Sequence, residues 1–167
     1  VFQKAEDFAT RGYVCIVPQS MPTMDLAQAV WTNLRAVDLL EAMRSVDRNR
    51  IACAGQGPAG QLALLTGALD QRLAATIASE NLTSVSRLAT PLRIEQILAA
   101  IAPRAVYFHT SIAEPPTAKS IAQAKAVYEL REVGELLHTT HGDSAAALQR
   151  SIDWLDSIFR PTDPGSS

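Results

Sequence analysis

The stretch Ile51–Glu80, IACAGQGPAGQLALLTGALDQRLAATIASE, contains the turn on which the fold is decided. Ile51-Ala52-Cys53-Ala54 is a short apolar run, as in a strand covered on both faces. Gly55-Gln56-Gly57-Pro58-Ala59-Gly60 breaks it. Leu62, Leu64, Leu65 and Leu69 then run along a helix. Pro58 falls at that helix's first position, where a missing N–H removes no intrahelical bond. Leu73 to Ala78 reads as the next strand. A strand–glycine–helix junction of this kind either cradles a dinucleotide or presents a catalytic serine.

The glycines fit the first option. Gly55-x-Gly57-x-x-Gly60 follows a strand and opens a helix, and Glu80 stands 25 residues beyond Gly55, close to where such a site wants an acid for the ribose. The run also resembles the FAD-binding turn of flavoproteins, and its glycines would let pyrophosphate approach the helix N-terminus. Against it, the fingerprint usually opens its domain, whereas here a helix, a strand and a long helix come first. A glycine trio is also a plain structural solution where the backbone needs positive φ. NAD or FAD therefore stays an alternative, and the leading expectation is no cofactor.

Outward from the turn, strands and helices alternate. Upstream, Phe2 to Ala9 has helical spacing, and Tyr13-Val14-Cys15-Ile16-Val17 is an unbroken apolar run expected to be a strand. Thr23 or Asp25 is placed to cap a long helix whose stripe is Leu26, Val30, Leu34, Val37, Leu40 and Met43. Downstream, Asn81 to Arg93 reads as a loop and Ile94 to Ala102 as a helix stopped by Pro103. Ala105 to Phe108 is a strand, Ser120 to Leu130 a helix and Glu135 to His138 a short strand. A last amphipathic helix starts near Asp143 or Ser144 and carries Leu148, Ile152, Leu155 and Phe159. The fold class is α/β: a three-layer sandwich around a mostly parallel sheet. Residues 1–160 form one domain and residues 161–167 a frayed tail.

Composition narrows the function classes. At 167 residues the chain suits a single domain, and 47% apolar with 19% charged residues suits a folded one. A net charge of −2 gives no long-range attraction to nucleic acid or acidic lipid. No basic run with interleaved aromatics and no apolar run of membrane-spanning length occurs, so neither nucleic acid nor membrane is an expected partner. Cys15 and Cys53 read as small buried apolar side chains, not a disulfide framework or zinc set. No metal site is expected.

The segments FATRGYVCIVP, VWTNLRAVDLLEAMRSVDRNRIACAGQGPAG, ALDQRLAATIAS, ILAAIAPRAVYFHTS and THGDSAAALQRSIDWLDSIF, in this order and spacing, resemble the α/β-hydrolase superfamily over about residues 3–160. The specific likeness is to the acetyl-xylan-esterase and dienelactone-hydrolase-like group. There the turn after the strand is the nucleophile elbow, G-x-S-x-G. The matching residues are Gly55, Gln56, Gly57, Pro58 and Ala59, so Gly57 stands where the serine belongs. The resemblance places the triad acid at Glu114 and the triad histidine at His141. His109 and His138, near strand ends, read as incidental.

Glycine has no side chain, so residue 57 cannot attack an ester carbonyl. The oxyanion hole normally uses the N–H of the residue after the nucleophile, and Pro58 has none. The resemblance thus implies a degenerate copy: a non-catalytic or impaired hydrolase-like domain with a structural or partner-binding role. Active hydrolysis of carbohydrate esters is the alternative. It also implies that the first strands of the fold are missing. The third of these would lie between Tyr13–Val17 and Ile51–Ala54. Upstream sequence, such as a preceding hydrolase domain, a second chain (a homo-oligomer included) or a rearranged strand order is expected to fill that gap, since an unpaired apolar edge promotes association. Val1 in place of Met suggests a fragment or processed chain.

Overall fold

In the computed structural model, the residues described are 2–19, 24–79, 92–110 and 115–160. Six helices and four strands follow one another: α1 Phe2–Thr10, α2 Leu26–Ala42, β1 Ala52–Gln56, α3 Pro58–Leu69, β2 Ala75–Ser79, α4 Ile94–Ile101, β3 Ala105–Thr110, α5 Pro115–Leu130, β4 Leu137–His141 and α6 Ser144–Phe159. The strands form one parallel sheet in the order β1-β2-β3-β4. Each connection carries a helix, as parallel pairing requires.

Alternation along the strands divides the side chains between two faces. On one, Ala78, Val106, Phe108 and Leu137 pack with Val30 of α2, Leu64 and Leu65 of α3, Leu98 and Ile101 of α4, and Tyr128 of α5. On the other, Ala75, Ile77, Ala105 and Tyr107 pack with Leu155 and Phe159 of α6 and with Phe8 of α1. The result is the expected three-layer α/β sandwich. Both faces are apolar, which is why the strands read as unbroken apolar runs. Asp25 caps α2 in a reciprocal box: Gln28 N–H donates to Asp25 Oδ1 at 2.8 Å, and Asp25 N–H donates to Gln28 Oε1 at 3.1 Å.

Three sequence expectations are corrected. Tyr13–Val17 is not a strand. The sheet begins at β1, and β1 pairs only with β2 among the described residues, so this run has no ladder to join and a rearranged strand order does not fill the gap. Val14 and Val17 are accordingly 44% and 38% exposed. The run is held at its start, where Tyr13 Oη donates to Asp156 Oδ1 at 2.7 Å and Arg11 bridges Asp153 and Asp156 at 2.8 Å each. Cys15, on the same run, is exposed and not buried. Finally, a 3₁₀ turn takes Gly134–Leu136 and the last strand extends to His141, so the predicted Glu135–His138 strand lies later than expected. The expected loop at Asn81 to Arg93 falls mostly, and the tail wholly, outside the described residues.

Candidate functional site

The turn between β1 and α3 is built as an elbow. Gly57 has φ 57° and ψ −127°, a conformation that side-chain-bearing residues adopt only when the surroundings impose it. Its N–H donates to the Ser79 carbonyl at 2.8 Å, and its own carbonyl accepts from the Gly60 N–H at 2.9 Å. A Cβ at residue 57 would meet nothing within 4 Å. The Cβ direction at this position is therefore open.

The other two glycines have packing reasons. A Cβ on Gly55 would run into the Ala59 backbone carbonyl, and one on Gly60 would sit 3.1 Å from the Gly55 carbonyl oxygen and 3.2 Å from that of Ser79. Tight packing thus accounts for Gly55 and Gly60, and the positive φ for Gly57. Pro58 is the first residue of α3, so this helix start has no N–H at its first position.

Of the remaining sequence candidates, His141 is not at the turn. Glu80 and Glu114 lie outside the described residues. His141 ends β4, paired in register with Thr110. β1 and β4 are the two outer strands of the order, so Gly57 and His141 stand three strand spacings apart, roughly 14 Å. His141 instead lines a cleft of about 300 Å³ between β4 and α5, with Thr110, Thr139, Ile121 and Lys125. Among the described residues, no group of histidine, cysteine and carboxylate side chains could hold a metal ion.

Sequence reasoning missed a second feature. The registers align Gln56, Ser79, His109 and Thr140 in one row across all four strands. The row shares the face of Ile77 and Tyr107, at the carboxyl ends of the strands, where open α/β sheets bind ligands. His109, read as incidental, is fully buried. Its Nδ1 lies 2.9 Å from Thr140 Oγ1, which in turn donates to Tyr107 Oη at 3.1 Å. The local signal for this row was partial: Ser79 and His109 each close a largely apolar run, whereas Thr140 follows His138 and Thr139.

No protein-family model matches the chain, and no curated protein does. Solved structures do. A carbohydrate esterase family 15 glucuronoyl esterase from Caldicellulosiruptor kristjansonii is 18% identical, with a TM-score of 0.68 over 85% of this chain and 52% of its own. A glucuronoyl esterase from Sporotrichum thermophile is 17% identical, with a TM-score of 0.65 over 84% of this chain and 53% of its own. Methylesterase BT1017 is 16% identical, with a TM-score of 0.66 over 80% of this chain and 35% of its own. The chain therefore spans about half or less of the length of these structures. Likeness at such identity shows the fold alone: over the matched part, this chain is folded like these esterase structures.

Proposed function

We propose that the chain is part of an esterase-type hydrolase of the carbohydrate-ester class, impaired because its elbow offers neither a nucleophile nor the adjacent backbone donor. The esterase class is supported by the neighbours, which are glucuronoyl esterases and a methylesterase. The impairment rests on one observation: the elbow backbone is kept at Gly57, with an open Cβ direction, while residue 57 has no side chain. Losing a backbone donor alone costs about 10²–10³ in rate, and losing a serine nucleophile has cost about 10⁶ elsewhere.

The test compares hydrolysis of a methyl uronate ester and of an acetylated sugar by this chain and by an intact-elbow esterase of the same fold. The expected kcat/KM is lower by at least about 10³. A rate matching the intact enzyme would overturn the impairment and leave the fully active reading, which the esterase neighbours favour. A further part of the proposal is that a strand from upstream sequence or a second chain completes the sheet beside β1, supported by that strand's one-sided pairing.

A further inference from the structure

We propose that the cleft between β4 and α5 binds a small hydroxylated carboxylate, its charge held by Lys125 and its hydroxyl groups by Thr139 and His141. The site is distinct from the glycine turn and does not rest on the esterase-type reading.

The cleft follows from side-chain size. Leu137 of β4 and Val106 and Phe108 of β3 lie on the face that α5 covers, packed in one cluster with the fully buried Ala124 and Tyr128 of that helix. There helix and sheet close on each other. Thr139 and His141 follow Leu137 by two and four residues, and Thr110 follows Phe108 by two, so all three continue the same face. Opposite them α5 presents Ala118, Ile121 and Ala122. The two alanines leave open the space that Tyr128 fills further along the helix. The resulting cleft of about 300 Å³ stands at the lower end of the usual range for small-molecule sites.

Charge sets the kind of ligand. Lys125 and His141 line the cleft, and no aspartate or glutamate does among the described residues. An ammonium offers three donors and no acceptor, so it seeks an anionic partner. Glu129, one turn along α5, stands 4.0 Å from Lys125 Nζ, and both side chains are more than half exposed. An exposed pair of this kind is worth little, which leaves the ammonium able to hold a second carboxylate.

The other walls set its shape. Thr139 and His141 are exposed on β4. A threonine hydroxyl both donates and accepts, and a neutral imidazole does the same through its two nitrogens, so both suit alcohol groups. Ile121 and the alanines offer apolar surface to C–H groups. A short chain or ring with one carboxylate and several hydroxyls meets all three kinds of wall.

Gluconate is the probe for the test, and glucitol, the same carbon chain with an alcohol in place of the carboxylate, is its control. Both are titrated into the intact isotope-labelled chain and followed by amide NMR. Gluconate is expected to shift the signals of Thr139, His141 and Lys125 saturably, and glucitol to bind at least about tenfold more weakly. Lys125→Gln should weaken gluconate at least about fivefold. Ala122→Leu should fill the cleft and abolish binding at an unchanged melting temperature. Both substituted positions are exposed, so neither variant depends on repacking the core. No saturable shift, shifts confined to other residues, equal binding of gluconate and glucitol, or undiminished binding by either variant would overturn the proposal. The readout is binding and not ester turnover, so it succeeds or fails independently of the esterase reading.

Discussion

The Gly57 N–H donates to the Ser79 carbonyl across 2.8 Å, tying the glycine turn to the end of the neighbouring strand. That bond holds Gly57 in the elbow conformation without any side chain to justify it. The turn's shape is therefore maintained by its strand neighbour and its glycines.

The glycines at positions 55 and 57 should respond differently to an added methyl. Gly55→Ala drives its Cβ into the Ala59 backbone, and overpacking of this kind costs about 1–3 kcal/mol. Gly57→Ala meets no atom within 4 Å and should lose only about 1–2 kcal/mol, for its positive φ. Urea denaturation of both variants reads the difference. A larger loss for Gly57→Ala than for Gly55→Ala would contradict the packing assignment.

Gly57→Ser is expected to fold and to gain less than about tenfold in ester turnover, because Pro58 still lacks the donor whose loss alone costs about 10²–10³ and His141 lies at the far side of the sheet. Steady-state assays of the purified variant check this. A large gain would mean that a base and an oxyanion donor already surround residue 57.

The two thiols should separate cleanly. Cys15 is exposed, whereas burial pushes Cys53 up to about 12. A thiol-specific disulfide reagent near pH 8 should therefore react faster at exposed Cys15 than at half-buried Cys53. The sign of the pH dependence follows. Cys53's folded pKa lies above its unfolded value near 9, so its contribution is fully present below pH 9. It is lost as pH rises toward about 12, at up to about 1.4 kcal/mol per pH unit. Cys53→Ser should flatten that alkaline slope.

Arg72 holds three carboxylates: Asp70 at 2.6 Å, Asp38 at 2.7 Å and Glu41 at 2.9 Å. Its hydrogen bonds hold the largely buried Asp70 below the ordinary carboxylate range. A depressed folded pKa stabilises above the unfolded value and loses that contribution as pH falls through the folded one. Arg72→Leu is therefore expected to cost about 2 kcal/mol near neutral pH and progressively less below pH 4. Thermal melts across pH 2–7 measure it, and a pH-independent loss would assign Arg72 a packing role alone.

Among the described residues β1 pairs on one side only, and an open edge predicts association. Its residues Ala52–Gln56 carry no charge and no proline, the usual guards of an edge strand. Light scattering of the isolated chain should show a mass that grows with concentration. Ala54→Lys, at an exposed position, should reduce that growth. A concentration-independent monomer would show that the edge is protected.

What the sequence determined by itself is local. Apolar periodicity and the Gly55–Gly60 turn fixed the alternation of strands and helices, and the residue types at 57 and 58 fixed that one offers no side chain and the other no N–H, since neither absence needs a neighbour to be recognised. Asp25 as helix cap was legible for the same reason. The tertiary structure alone decided whatever depends on register. Tyr13–Val17 has strand composition, yet composition supplies no partner for its backbone groups, and the run stays outside the sheet. His141 and Gly57 fall on different outer strands. Ser79, His109 and Thr140 lie 30 and 31 residues apart in sequence, and only parallel pairing across three strands sets them side by side on one face.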